Sequence, residues 1–331
     1  MTPVRAEVEP ADREDYWRAV SDADTAAAHA VAQRVLDRGT SVEDLLEHVV
    51  VDAQRRVGEL WASHRWSVAR EHAATAVSEA VVHRVADGLP AGAGPLLLVA
   101  CVEREWHAMP ALVLTTVLRA RGLGAEYSGA ATSRDDLVSA ILDRGPRAVL
   151  LSASLSSSLS RLRRQVEAVR GTGTPVVVGG RAFDSGGVRA RRLGATAYAA
   201  SPAEALALLP TLPRHVDAAP PLGHRGATEA RTVQARADAI ARDVLAALDL
   251  GSLALSPDDW RVVLATHTPH VVDSLVGALL CDDVSVLSET RAWLRDVLTG
   301  RGGDPASVDQ VWDALAHQLR DFPVALSMLE A

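Results

Sequence analysis

The spacing of hydrophobic and polar positions changes along the chain and divides it into regions. Apolar residues recur at helical spacing from Ala19 to Leu36 and from Val42 to Trp61. Ser41 and Ser67 are suited to cap helices that begin just after them. The pattern therefore predicts an N-terminal helical bundle over residues 1–90.

Short continuous apolar runs alternate with amphipathic segments from residue 91 to residue 212. The predicted strands are Leu96–Cys101, Ala125–Ser128, Ala148–Ser152, Pro175–Val178 and Ala195–Ala199. The predicted helices are Ala111–Arg121, Ser133–Leu142, Ser157–Arg170, Ser185–Leu193 and Pro202–Leu208. Strands that alternate with helices predict a doubly wound α/β domain with a parallel sheet, of the flavodoxin-like Rossmann type.

Residues 213–226 are rich in proline and glycine and are predicted to form a linker. After them, residues 227–331 show helical spacing again, with predicted helices Ala230–Leu248, Pro257–Thr266, Val271–Leu280, Glu289–Leu298 and Ala306–Leu329. Pro269 is expected to interrupt the helical pattern between the second and third of these helices. This C-terminal all-α region has three interpretations: a globin-like fold, a dimerisation module, or a second ligand site.

Composition narrows the class of protein. With 331 residues and 48% hydrophobic residues, the chain is long and apolar enough for several packed domains. A net charge of −8 argues against a general nucleic-acid-binding surface. Two cysteines indicate a reducing compartment. We found neither an N-terminal signal core nor a long uninterrupted apolar run, so we expect a cytoplasmic protein without membrane or nucleic-acid partners.

The segment from Val102 to Pro110 contains the most informative chemistry. Glu105 and His107 follow a predicted buried strand, and open parallel sheets bind ligands at the carboxyl ends of their strands. A carboxylate close to an imidazole can orient the ring, fix its tautomer and increase its basicity toward a metal. The pair therefore predicts a ligand site in this loop.

Glu105-x-His107 resembles the Asp/Glu-x-His-x-x-Gly signature of cobalamin-binding domains. The resemblance implies that His107 is the lower axial ligand of cobalt. It also implies that Ser152, Ser154 and the pair Gly179–Gly180 line the site of the buried nucleotide tail. Pro110 stands where the family has Gly, and Ser154 stands where it has Leu.

Trp61, followed after nine residues by Glu71 and His72, resembles the Trp-x9-Glu-His motif of light-sensing cobalamin proteins. The resemblance implies that Trp61 covers the adenosyl group of adenosylcobalamin and that Glu71 and His72 contact it. Transcription factors of that class have a cobalt-binding His directly after the Trp, where this chain has Ala62. They also carry an N-terminal DNA-binding domain, for which we expect no counterpart here.

The arrangement of the three regions is similar to that of photocobilins, which bind cobalamin and biliverdin. This resemblance implies a biliverdin site in residues 227–331. Among the residues there, His267 and His270 flank Pro269 and are the first candidates for contacts with biliverdin. Cys281 lies on an apolar helix face, which favours a structural role over covalent attachment of the bilin.

The sequence thus predicts a light-sensing photoreceptor and not an enzyme. Breakage of the cobalt–carbon bond by light would change the domain arrangement or the oligomeric state. We expect a homo-oligomer that acts on a separate downstream protein. Two alternatives remain: a corrinoid carrier for methyl transfer, and a haem or tetrapyrrole sensor.

Overall fold

The computed structural model describes residues 6–90, 92–248, 250–251 and 255–331. The chain divides into two compact units. The first comprises residues 1–96 and 109–127, and the second comprises residues 97–108 and 128–331. The predicted domain limits at residues 1 and 91 lie outside the described residues.

The first unit is mainly a helical bundle, and three of its helices begin at polar caps. Its bundle helices are α1 (Pro10–Ser21), α2 (Thr25–Asp37), α3 (Val42–Leu45), α4 (Asp52–Ala62) and α5 (Val68–Asp87). The side chains of Asp24, Ser41 and Ser67 accept hydrogen bonds from the backbone at the starts of α2, α3 and α5. The helical spacing from Ala19 to Leu36 extends over two helices, because the helical backbone is interrupted between α1 and α2.

A π-helical segment, Leu46–Val51, joins α3 to α4. The predicted helix from Val42 to Trp61 is thus helical throughout, but it contains one wider stretch. Leu46, Val49 and Val50 are buried there. Segments of this kind are uncommon and occur often near functional sites.

The sheet has five strands in the order β2-β1-β3-β4-β5. The strands are β1 (Ala93–Cys101), β2 (Leu123–Tyr127), β3 (Ala148–Ser152), β4 (Val176–Gly179) and β5 (Ala197–Tyr198). The pairs β1–β3, β3–β4 and β4–β5 are parallel. Cys101 is aligned with Ser152, and Ser152 with Gly179, so the loops that follow these three strands leave the sheet at one edge. The predicted doubly wound α/β domain is confirmed.

Three helices of the α/β region start later than the sequence pattern indicated, and the first one starts two residues earlier. They are α6 (Met109–Ala120), α7 (Arg134–Arg144), α8 (Leu159–Gly171), α9 (Val188–Arg192) and α10 (Pro202–Leu208). A 3₁₀ turn, Ser156–Ser158, precedes α8, and α9 is shorter than predicted. Pro110 is the second residue of α6, where a missing N–H is tolerated. The predicted loop therefore ends at Ala108.

The C-terminal region consists of six helices within the described residues. They are α11 (Arg225–Ala235), α12 (Ala237–Ala247), α13 (Trp260–Cys281), α14 (Ser285–Gly300), α15 (Ala306–Gln318) and α16 (Pro323–Glu330). The predicted helices Ala230–Leu248 and Ala306–Leu329 are each two helices. The predicted break at Pro269 is wrong, because α13 continues through it. The helical character is confirmed, and the globin-like arrangement stays a prediction.

Helix α13 is the core of this region. It packs against α8, the 3₁₀ turn, α11, α12 and α14. It is the one described helix long and apolar enough to cross a membrane by length and composition, yet 61% of its most apolar window is buried inside the protein. We therefore assign α13 as a buried core helix.

Arg189 on α9 connects the α/β region to the C-terminal helices through ion pairs and hydrogen bonds. Its side chain is 2% exposed and binds Asp283 at 2.8 Å and Glu289 at 2.7 Å. It also donates to Ser285 Oγ at 2.9 Å and to the carbonyl of Ala182 at 3.1 Å. Burial lowers the pKa of the guanidinium, but the hydrogen bonds and charges of the two carboxylates have the larger effect, so the pKa of Arg189 is raised.

Candidate functional site

Glu105 and His107 lie in the loop after β1, and the structure brings them into direct contact. His107 Nδ1 is 2.5 Å from Glu105 Oε1, and the same oxygen accepts a hydrogen bond from the backbone N–H of His107 at 3.1 Å. The Glu105 side chain is fully buried, whereas the His107 side chain is 57% exposed. Because the carboxylate engages Nδ1, a metal would be ligated through Nε2.

The second oxygen of Glu105 is held by the turn after β3. Glu105 Oε2 accepts hydrogen bonds from the backbone N–H groups of Ser154 at 2.8 Å and Leu155 at 3.0 Å, and from Ser158 Oγ at 2.9 Å. Burial favours the neutral acid, but the bond and charge of His107 and the two backbone donors outweigh it and lower the pKa of Glu105 to about 2. The carboxylate is therefore a fixed anion behind the imidazole.

Ser158 is a site residue that sequence reasoning missed. The motif points to Ser152 and Ser154 and assigns no role to Ser158. The 3₁₀ turn buries Ser158, which is 5% exposed, and aims its hydroxyl at Glu105. The signal available in the sequence was a run of serines directly after a strand that ends beside the Glu-x-His loop.

Ser152 and Ser154 lie at the end of β3 and just beyond it. The hydroxyl oxygen of each is buried and makes no hydrogen bond to another described residue. Buried hydroxyl groups are normally satisfied, so two orphaned ones indicate polar groups that a ligand can supply. Their predicted contact with a nucleotide tail fits this geometry.

Gly179 and Gly180 are required by the packing of the backbone. A Cβ on Gly179 would lie 2.4 Å from the carbonyl oxygen of Ala199. A Cβ on Gly180, which has a φ of +108°, would lie 2.3 Å from the carbonyl oxygen of Ala153. The close approach that excludes a side chain here is thus made by neighbouring strand ends, and contact with a ligand stays a prediction.

Trp61, Glu71 and His72 lie at adjoining ends of two packed helices of the first unit. Trp61 is in the last turn of α4, and α5 begins at Val68 with Glu71 in its first turn. Glu71 Oε2 is 3.3 Å from His72 Nε2, and the His72 side chain is 74% exposed. Trp61 thus ends one helix, Glu71 and His72 open the next, and the two helices pack against each other.

His267 and His270 lie on α13 and form an aromatic cluster with Trp293 of α14. The ring centroids of His267 are 5.1 Å from Trp293 and 5.8 Å from His270. Burial is the main cause that lowers the pKa of His267, to about 4, and the charges of His270 and Arg301 act in the same direction. Both imidazoles are therefore neutral groups in a half-buried setting near pH 7.

Two segments of the chain match family models described as the B12 binding domain. One model covers residues 12–85, and the other covers residues 95–207. Both segments are B12-binding domains. The cobalamin-binding signature that the sequence suggested is thus confirmed at the level of these two domains.

Two individual proteins are similar to this chain, one in sequence and one in fold. The chain is 32% identical over 174 residues to the HTH-type transcriptional repressor CarA of Myxococcus xanthus. That match covers 51% of this chain and 57% of the relative, so the chain spans little more than half of it. The monomethylamine corrinoid protein of Methanosarcina barkeri has a similar fold, with a TM-score of 0.51 and 17% identity over 62% of this chain and 100% of that chain.

The residues present fit cobalamin. Glu105 orients the imidazole of His107, and Ser152 and Ser154, at the end of β3, supply unsatisfied hydroxyl groups. Within the described residues, no group of three or more His, Cys, Asp or Glu side chains could hold a metal ion by itself. A single protein ligand suffices for cobalt in a corrin, because the macrocycle supplies the equatorial nitrogens.

Proposed function

We propose that the chain is a photoreceptor that uses adenosylcobalamin to sense light, and that it is not an enzyme. The observation that carries the proposal is that Trp61 ends α4 while Glu71 and His72 open α5, which packs against α4. A corrinoid carrier needs no such group. The similarity to a transcriptional repressor supports a regulatory role.

His107 would ligate cobalt from the lower face in place of the nucleotide base. Glu105 holds the ring in one tautomer, and the turn that contains Ser158 holds Glu105. The Ser152 and Ser154 hydroxyls would bind polar atoms of the nucleotide tail. Bound adenosylcobalamin supplies a cobalt–carbon bond that visible light breaks.

On the upper face, Trp61 would cover the adenosyl group, and Glu71 would accept hydrogen bonds from its ribose hydroxyls. Without the adenosyl group, Trp61 and Glu71 would lack these contacts. The packing of α4 against α5 is then no longer supported by the ligand, which would change the domain arrangement or the oligomeric state. Ala62 has no side chain that can ligate cobalt, so this position cannot provide an upper ligand after illumination.

The C-terminal helices fit biliverdin as a second chromophore. His267, His270 and Trp293 offer aromatic surfaces and polar ring nitrogens for pyrrole rings. The proposed contact residues are therefore His267 and His270.

The test is an absorption spectrum in darkness and after green light, with protein reconstituted with adenosylcobalamin, with and without biliverdin. The proposal predicts an irreversible change of the cobalamin spectrum, and a red band that requires biliverdin. His107→Ala should abolish the spectrum of His-ligated cobalamin, whereas His317→Ala, at an exposed position of α15, should leave it unchanged.

Other outcomes would change the assignment. A light-stable cobalamin spectrum would refute the photoreceptor and favour a methyl carrier that shares His107. Cobalamin photochemistry without a red band would refute only the biliverdin site. The absorption spectrum of a haem that is ligated by His267 or His270 would favour the alternative of a haem or tetrapyrrole sensor.

A further inference from the structure

The carboxylate of Glu71 accepts a hydrogen bond from a side chain on the inner side of the helical bundle. Its Oε1 accepts a hydrogen bond from Thr75 Oγ1 at 2.9 Å, one turn further along α5. Its Oε2 faces His72. One oxygen is thus turned toward the bundle and the other toward the partly exposed side, although Glu side chains are among the most mobile.

Thr75 is the start of a chain of polar groups that runs into the core. Thr75 Oγ1 is 3.1 Å from Gln54 Oε1 on α4, and Gln54 Nε2 is 2.8 Å from Ser78 Oγ. Ser78 Oγ is in turn 3.4 Å from the hydroxyl of Tyr16 on α1. Tyr16 and Ser78 are both 0% exposed. Three helices therefore contribute to one continuous row of hydrogen-bonding side chains.

The number of hydrogens that each side chain carries determines which groups in this row donate and which accept. The Thr75 hydroxyl carries one hydrogen, but it faces both the Glu71 carboxylate and the amide oxygen of Gln54, which are both acceptors. An amide keeps its shape when its oxygen and nitrogen exchange places, so the surrounding bonds fix its orientation. With Gln54 Nε2 facing Thr75 and Oε1 facing Ser78, the conflict disappears.

In that orientation each group donates one hydrogen bond in the same direction. Tyr16 donates to Ser78, and Ser78 donates to Gln54. Gln54 then donates to Thr75, and Thr75 donates to Glu71. Burial raises the pKa of Tyr16, so its hydroxyl stays protonated and remains a donor. The row ends at the one group that can only accept, an ionised carboxylate.

We infer that Thr75 and Gln54 are positioning residues that fix the carboxylate of Glu71 and thereby set the preference for an upper ligand that carries hydroxyl groups. The inference rests on the proposed function, because it assumes that Glu71 contacts the ribose of the adenosyl group. Thr75 and Gln54 act through Glu71 and do not contact the ligand themselves. Neither residue belongs to the Trp-x9-Glu-His motif.

The test compares two ligands in the dark. Adenosylcobalamin carries ribose hydroxyls on its upper face, and methylcobalamin does not. Thr75→Val keeps the shape of the side chain but removes the hydroxyl, and Thr75→Ser restores it. We expect Thr75→Val to weaken adenosylcobalamin binding about tenfold, the effect of losing one bond to a charged group. Methylcobalamin affinity should change less than about twofold, and Thr75→Ser should recover most of the difference.

The ratio of the two affinities separates positioning from structural damage. An unchanged ratio in Thr75→Val would overturn the inference, and so would an equal loss for both ligands, which would indicate a general packing role. Retained methylcobalamin binding shows that the variant is folded. If the wild-type protein itself binds both ligands equally, the proposed upper-face pocket is refuted, and the inference is refuted with it.

Discussion

Ser157 Oγ and His270 Nδ1 lie 3.1 Å apart and join the turn after β3 to α13 by a hydrogen bond. The next residue of the turn, Ser158, binds Glu105. Burial mainly lowers the pKa of His270, and the charges of Arg104 and His107 lower it further. The C-terminal helices thus contact the same turn that orients the proposed cobalt ligand, which gives the two proposed chromophore sites a shared structural element.

The hydroxyl of Ser158 should contribute to cobalamin affinity through Glu105. Ser158→Ala removes one of the hydrogen bonds to Glu105 Oε2. The Glu105 carboxylate, and the His107 imidazole that it orients, are then held less firmly. We expect cobalamin to bind about tenfold more weakly, as is usual when a partner of a metal-ligating His is removed. The measurement is an absorbance titration of the apoprotein with hydroxocobalamin.

Ser156→Ala is the matched control for this substitution. Ser156 lies in the same 3₁₀ turn, and its hydroxyl is not among the groups that bind Glu105. It should change the affinity less than about twofold. Equal affinities for the two variants would show that Ser158 does not support His107.

Removal of Arg189 should loosen the C-terminal helices. Arg189→Met leaves Asp283 and Glu289 without their buried cation, and unpairing a buried ion pair costs about 3–5 kcal/mol. Because Asp283 is 24% exposed and Glu289 is 54% exposed, water compensates part of this loss. We expect the free energy of unfolding to fall by about 2 kcal/mol in urea denaturation.

Arg191→Met, on the same helix, provides the comparison. Arg191 is exposed and donates to the carbonyl of Gly186, which belongs to the same part of the unit. Its substitution should change stability by about 0.5 kcal/mol or less. If both variants lose the same stability, the ion pairs of Arg189 do not stabilise the C-terminal helices as its contacts indicate.

Much of the fold could be predicted from sequence because the signals are local. A buried parallel strand is a short continuous apolar run, and the run from Ala148 to Ser152 has the predicted limits. Ser67 caps its helix as expected, because an N-cap bond spans only three residues. The position of Glu105 and His107 followed from the strand that precedes them.

Other features depend on contacts between distant residues and could not be predicted. Pro269 lacks an N–H and should break a helix by local rules, but α13 is surrounded by packed helices that keep it continuous. Ser158 acquires its role only when a turn from one strand meets a loop from another. Arg189 pairs with residues about a hundred positions away.

The buried His267 should make the apoprotein less stable in mild acid. Its pKa is lowered to about 4 in the folded protein, against 6.5 for the ordinary imidazole, mainly by burial. Between these values the unfolded chain binds a proton that the folded chain does not, so stability is present above pH 6.5 and is lost as the pH falls toward 4. We expect a loss of about 2 kcal/mol between pH 7 and pH 5.

Urea denaturation of the wild type and of His267→Phe, at both pH values, measures this contribution. Phenylalanine keeps the ring against Trp293 but cannot bind a proton. The variant should lose less stability on acidification, whereas His317→Asn, at an exposed site, should behave as the wild type. A variant with the same pH dependence as the wild type would show that His267 is not the source.

Gly180 should be far less tolerant of a side chain than a glycine in open space. Gly180→Ala forces a residue with a Cβ into a φ of +108° and places that Cβ 2.3 Å from the carbonyl oxygen of Ala153. The same carbonyl accepts a hydrogen bond from Ala182 N–H at 3.1 Å, so the loop after β4 and the turn after β3 must both shift.

Gly145→Ala is the control, since Gly145 also has a positive φ, of +57°, but a Cβ there meets nothing within 4 Å. We expect Gly145→Ala to cost about 1 kcal/mol of unfolding free energy, from backbone conformation alone, and Gly180→Ala to cost about 3 kcal/mol. Because Ser154, whose N–H binds Glu105, directly follows Ala153, Gly180→Ala should also weaken hydroxocobalamin binding, whereas Gly145→Ala should not. Equal stability losses in urea for the two variants would contradict the close approach on which the prediction rests.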